Sequence, residues 1–148
     1  MAQKSAREKT PTQIVGNAGM YYLCYKLSQM GYNVMPTARN ARGIDIVVYD
    51  NENHFVGVQV KTLSKRNAVP LGKTLRAHCA DIWVIITDVM SSDIQIHVMT
   101  PEEIEEHSHQ NVQYWLETKE YCKYQDQKLS KFKTIFDSLI TSGKLRTF

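Results

Sequence analysis

Cysteine is scarce and badly placed for a structural role. Cys24, Cys79 and Cys122 are far apart, odd in number and never spaced as a CxxC pair. That spacing speaks against a zinc site of the usual kind, and scattered thiols suit a reducing compartment better than a disulfide framework. Long apolar runs are also missing: stretches such as Ile-Trp-Val-Ile-Ile at 82–86 are too short to cross a bilayer. The opening MAQKSAREKTPTQ is polar and has no apolar core of a secretory signal. A soluble, cytoplasmic protein is the expectation. Charge of one sign is not in large excess, since 18 basic residues face 15 acidic ones for a net charge of +3. This permits nucleic acid as a partner without arguing for it. With 43% apolar and 22% charged residues, the usage is that of a globular protein, which excludes disorder and collagen-like architecture. The 148 residues fit one domain around one core.

The pattern that is present alternates between helix and strand signals. Residues 1–12 read as a flexible lead, with Thr12 placed to cap a helix over 13–31 that stops at Gly31. Gly16 and Gly19 are unusual inside a helix, where each costs ~1 kcal/mol relative to alanine; a close contact between helix and sheet accounts for them. Strands are predicted at 32–36, 44–49 and 55–62, the last two joined through Asn51-Glu52-Asn53 as a hairpin. Residues 63–79 contain Pro70 and Gly72 and little periodicity, so a long connection is expected. A buried central strand at 81–87 and a further strand at 94–99 follow. Thr100-Pro101-Glu102-Glu103 then opens a helix, with threonine as cap, proline at the first position and acids in the first turn. The last helix is expected over about 126–142, within a C-terminal helical part spanning 107–148. The order predicts a single mixed α/β domain with one central sheet.

The hairpin carries the chemistry. A three-residue loop flanked by Asp50 and His54 pairs positions whose numbers sum to 104, which sets Asp45 opposite Gln59. Lys61, two residues on, shares the face of Gln59, because strand side chains alternate with period two. Ile44, Ile46, Val58 and Val60 occupy the other face. A carboxylate, an amide and an ammonium are thereby gathered among apolar neighbours. Cleavage of a phosphodiester needs a metal ion to polarise the phosphate and acidify a water, and hard cations take oxygen ligands. Asp45 offers a carboxylate, Gln59 a side-chain oxygen and Val60 its backbone carbonyl, while Lys61 can orient water or stabilise growing negative charge.

Gly43-Ile-Asp45, a gap, then Val58-Gln59-Val60-Lys61-Thr62 resembles the signature of the PD-(D/E)XK nuclease superfamily in its Q-x-K form, found among homing-endonuclease-like and resolvase-like members. The flanks resemble it too. Gly16-Asn-Ala-Gly-Met20 on a helix ending at Gly31-Tyr32-Asn-Val34 is similar to the family's first helix and strand. Ala80–Ile86, Ile94–Val98 and Pro101-Glu-Glu-Ile104 are similar to its later elements. The resemblance covers roughly residues 13–106. It implies a restriction-endonuclease-like fold, a mixed central sheet flanked by helices. It also implies a Mg²⁺-dependent hydrolase, an endodeoxyribonuclease that also accepts Mn²⁺, with Asp45, Gln59 and Lys61 as its catalytic residues and Asp45, Gln59 and Val60 around the metal. A homodimer is the expected form if both strands of a duplex are cut. Two positions depart from the family. Many relatives carry a glutamate in the first helix where Met20 stands here, with Asn17 one turn earlier as a substitute, and Gln59 replaces an acid.

Charge near the hairpin points to DNA as the partner. Lys61, Lys65, Arg66, Lys73 and Arg76 leave the motif, Arg39 and Arg42 enter it, and no acid lies between Glu52 and Asp81. Such a rim neutralises phosphates and makes binding salt-dependent; a merely solvated loop is the alternative. His107-Ser-His109 is a poor metal pair, because i, i+2 positions diverge on a helix. Trp83 and Trp115 read as core, and the lysines at 119, 123, 128, 131 and 133 as a solvated face, with DNA contact second. Two further functions stay open beside the nuclease: a catalytically impaired DNA-binding protein and a partner-binding module on the same fold.

Overall fold

The structure, a computed structural model, describes residues 10–38 and 43–147. Helix α1 (Thr12–Gln29) leads into β1 (Asn33–Pro36), β2 (Ile46–Tyr49) and β3 (His54–Thr62). Then come β4 (Val69–Gly72), a 3-10 turn (Ala77–Cys79), β5 (Ile82–Thr87) and β6 (Gln95–Met99). The remainder is α2 (Pro101–His107), β7 (His109–Gln110), β8 (Tyr114–Leu116), α3 (Thr118–Tyr121) with a 3-10 turn (Cys122–Tyr124), α4 (Ser130–Thr141) and β9 (Arg146–Thr147).

The main sheet runs β1-β2-β3-β5-β6, with β9 pairing the start of β3. Only β3 and β5 are parallel; the other pairs are antiparallel, so the sheet is mixed. All six positions of β5 are buried, as expected of a strand covered on both faces. Its side chains alternate between two cores. Ile82, Val84 and Ile86 meet Leu23 and Leu27 of α1 and Phe132 and Phe136 of α4. Trp83 and Ile85 meet Val69 and Leu71 of β4, Leu116 of β8 and Ile104 of α2. The result is the expected α/β architecture, a mixed central sheet flanked by helices. No helix among the described residues is long and apolar enough to cross a membrane.

Several local expectations are corrected. The stretch 63–79 is not a structureless connection: β4 pairs with β8, and β8 with β7, in a second sheet of order β4-β8-β7. Pro70 is tolerated because β4 lies at the edge of that sheet, where a missing N–H breaks no ladder, while Val69 and Leu71 alternate into the core. The C-terminal part from 107 is accordingly not all helical, since β7, β8 and β9 belong to it. Pro11 rather than Thr12 occupies the N-cap of α1, and no side chain caps that end. Helix α4 begins at Ser130 because the Asp126 carboxylate accepts from the backbone N–H of Ser130 (2.9 Å), Lys131 (2.9 Å) and Phe132 (3.2 Å) and so caps it from outside. The start of α2 is as read: Thr100 Oγ1 accepts from Glu103 N at 3.1 Å, and Glu103 Oε1 accepts from Thr100 N at 2.9 Å, a capping box behind Pro101.

Strand β6 buries two polar residues, Gln95 and His97, and His97 is the more enclosed. His97 is 1% exposed, its Nε2 is 3.3 Å from Thr87 Oγ1, and its Nδ1 has no hydrogen-bond partner among the described residues. Burial, aided by the nearby charge of Arg66, lowers its pKa to about 4. An unfolded histidine takes up a proton near pH 6.5, so the unfolded state gains protons first as pH falls. Stability is therefore lost between about pH 6.5 and 4, by at most about 3 kcal/mol from this group. Urea midpoints measured from pH 7 to pH 4.5 should fall more steeply for the wild type than for His97→Leu; parallel curves would show that His97 does not titrate this way.

Candidate active site

Strand β3 has nine residues and β2 only four, and that mismatch creates the site. The β2–β3 ladder ends at Ile46↔Val58, the register in which pair numbers sum to 104. The loop chemistry sets it: Asn53 takes a positive φ of 65°, and Asp50 Oδ1 accepts from Glu52 N at 2.9 Å and His54 N at 2.8 Å. Beyond Val58, the side of β3 that β2 covered is open. Val60 turns its N–H and C=O toward that side, because backbone groups of a strand alternate in direction and Val58 O accepts from Asp45 N at 2.8 Å there. Asp45 fills the gap with its side chain. Its Oδ2 accepts from Val60 N at 2.8 Å and from Gln59 Nε2 at 2.9 Å.

The backbone of Asp45 is held from both sides. Besides its bond to Val58, its carbonyl accepts from Thr37 N at 2.9 Å, and Thr37 Oγ1 donates to Ile44 O at 2.6 Å. Gly43, at φ +70°, lies so close to Cys79 that an added Cβ would fall 2.4 Å from the Cys79 Cβ, which leaves the approach to Asp45 no slack. A cleft of about 300 Å³ opens in front of the carboxylate. Helix α1 contributes Gly16, Asn17 and Met20 to its walls. The chain after β1 contributes Thr37 and Ala38, and β3 contributes Val60 and Thr62. α1 reaches this position through Gly19, where a Cβ would fall 2.0 Å from Thr62 Oγ1. The close contact between helix and sheet thus accounts for Gly19 and not for Gly16, where an added Cβ would meet no described atom within 4 Å beyond the adjoining helix backbone.

The structure therefore brings Asp45, Gln59 and the Val60 backbone together. Lys61 is half-buried and opposite Ile85 on β5, on the same face of β3 as Gln59, and it forms no ion pair among the described residues. Of the expected basic rim, Arg39 and Arg42 lie outside the described residues. Lys65, Arg66, Lys73 and Arg76 are exposed; Lys65 lines a neighbouring cleft of about 180 Å³ with Thr12 and Ser64, and Arg66 lies 3.8 Å from Asp88. His107 and His109 go separate ways, the first to Glu120 (2.8 Å) and Tyr124 (2.7 Å), the second stacked on Trp115. Trp83 is core, its Nε1 donating to Ala77 O at 2.8 Å. Lys131 and Lys133 are engaged with Glu103 and Asp137. Sequence reasoning missed Thr37, a polar residue with no motif around it, and gave no role to Thr62 at the end of the Q-x-K stretch. It also missed that no acid occurs between Glu8 and Asp45, so that the first 80 residues hold eleven basic and four acidic side chains and the last 68 hold seven and eleven.

The donor set suits a hard cation held loosely. Among the described residues no three His, Cys, Asp or Glu side chains cluster as metal ligands. Asp45 keeps Oδ1 for a ligand, Val60 offers a carbonyl on the open side, and a half-turn of the Gln59 amide exchanges Nε2 for Oε1. Mg²⁺, which keeps several waters and often takes only one or two carboxylates, is compatible with that set.

No family model matches the chain, and no curated protein does. Among solved structures the chain is similar to a bacterial homing endonuclease, I-Ssp6803I, with a TM-score of 0.64 and 14% identity, over 89% of this chain and 97% of that one. At that identity the likeness concerns the fold.

The Gln59–Asp45 bond yields a prediction independent of any ligand. Gln59→Glu sets two carboxylates where an amide now donates, and like charges that close cannot both ionise without strain. The metal-free variant should be less stable than wild type by about 1–3 kcal/mol at pH 7, with the difference closing toward pH 4. Denaturant midpoints at the two pH values decide it; equal stability at pH 7 would mean the pair does not interact.

Proposed function

We propose that the chain is a metal-dependent DNA endonuclease of the PD-(D/E)XK type, acting through Asp45, Gln59, Val60 and Lys61. The observation that carries this reading is the Asp45 carboxylate, fixed at the open edge of β3 by Val60 N and Gln59 Nε2 with one oxygen to spare. A fold similar to that of a bacterial homing endonuclease supports it, as does the acid-free stretch from Lys9 to Ile44. A bound Mg²⁺ or Mn²⁺ would supply Lewis acidity toward the scissile phosphate and acidify a water. Asp45, Gln59 and the Val60 carbonyl would hold it. Lys61, which forms no ion pair among the described residues, stabilises negative charge as it grows on the phosphate oxygens. Lys65, Arg66, Lys73 and Arg76, with Arg39 and Arg42, neutralise the flanking phosphates and make binding salt-dependent. If two strands are cut, two copies of the chain act together.

A second reading rests on Met20. This residue lines the cleft where many PD-(D/E)XK proteins have a glutamate, and its thioether offers no hard ligand. With Asp45 as the one carboxylate among the described residues of the cleft, a DNA-binding protein with catalysis impaired is the alternative.

The test is cleavage of duplex, branched and single-stranded DNA in millimolar Mg²⁺ or Mn²⁺. Wild type should cut and lose activity on chelation, whereas Lys61→Ala and Asp45→Asn should fall by about 100-fold or more. A wild type that cuts nothing while binding DNA in a salt-sensitive way establishes the second reading, and one that neither cuts nor binds at low salt removes both.

A further inference from the structure

Gly16 is a residue the described fold does not need. Of the seven glycines, Gly31, Gly43, Gly72 and Gly143 take positive φ, while Gly19 and Gly57 are crowded by Thr62 and Ile44 so that a Cβ would collide. Gly16 has neither reason. It lies in α1, which spans Thr12–Gln29, in ordinary helical conformation and exposed, with no described atom beyond the adjoining helix backbone within 4 Å of where a Cβ would be. Alanine would hold the helix better, because glycine fixes more backbone entropy on folding and buries nothing. Yet Gly16 lies in the wall of the same cleft as Asp45 and Val60. The space a side chain would fill is cleft space.

We propose that Gly16 is the seat for the sugar–phosphate backbone of the bound DNA strand, its bare Cα letting the strand lie directly against α1 beside Asp45. This rests on the nuclease reading above and adds the strand's contact point to it. Three features fit a polyanion at that spot. Helix α1 carries no acid and a single charge, Lys26. No acid occurs in the sequence from Lys9 to Ile44. The exposed amide of Asn17, also in the cleft wall, is a neutral donor suited to a phosphate oxygen. A missing side chain is what close approach of a ligand to a backbone requires.

The experiment compares Gly16→Ala with wild type and with Gly19→Ala, reading thermal midpoint and affinity for a labelled DNA duplex without divalent metal over a range of salt. Gly16→Ala should raise the midpoint by about 3 °C while weakening binding about tenfold. Gly19→Ala, whose Cβ meets Thr62, should lower the midpoint. A Gly16→Ala protein that binds as tightly as wild type overturns the inference alone, as does one that is destabilised, since the glycine would then serve the fold. A wild type with no salt-sensitive DNA binding overturns the inference together with the reading beneath it.

Discussion

The Asp45 carboxylate does for the end of β3 what a neighbouring strand does for its middle. Strand β2 stops at Ile46, and Val60 is left with a backbone donor and acceptor facing open space. An unpaired peptide N–H in a half-buried position costs about 1–3 kcal/mol. Asp45 Oδ2 satisfies that donor at 2.8 Å and takes the Gln59 amide at 2.9 Å on the same oxygen. The carboxylate is thereby fixed by the fold and not by a ligand. The interaction that completes the sheet edge is also the one that aims a charged oxygen into the cleft. Position and polarity of the site thus follow from one strand being shorter than its partner.

The rest of the architecture holds that edge open. β5, buried at every position, anchors the far side of β3 through a parallel ladder from Val58 to Thr62. The Asp81 carboxylate ties its start to β3 by accepting from Gly57 N at 2.8 Å. On one face α1 and α4 close the core, and α1 is drawn against Thr62 at Gly19. On the other face the small sheet and α2 cover Trp83 and Ile85. Among the described residues, the cleft in front of Asp45 opens beside the exposed part of α1, at Gly16 and Asn17. Charge is arranged to match: acids are concentrated after residue 80, bases before it. A long-range field of this kind acts on encounter and salt dependence more than on fold.

What could be read from the sequence was what is local in it. The register of the hairpin was legible because Asp50, Asn53 and His54 settle it within a few residues, and with it came the pairing of Asp45 and Gln59. The cap of α2 was legible for the same reason. The second sheet was not, because Val69 pairs with Leu116 across much of the chain, and Pro70 and Gly72 read locally as breakers. Sequence distance also hid the α1 wall of the cleft. Gly16 and Gly19 look alike in a helix pattern, and only packing tells a glycine forced by Thr62 from one that nothing in the described structure crowds.

Gln59 shows how the site balances charge against folding. A second acid beside Asp45 would strengthen a cation site but would leave two carboxylates facing each other whenever the cation is absent. The amide replaces that repulsion with a hydrogen bond to Asp45 that involves no metal. The same amide carries an oxygen at its other end, available after a half-turn that exchanges donor for acceptor. That turn forfeits the bond to Asp45, so a cation must offset the loss by its own attraction for the two oxygens. A weaker hold on any bound cation would be the physical consequence of an edge already hydrogen-bonded without one. Lys61 fits the same logic: with no carboxylate partner among the described residues, its charge is not spent within the fold.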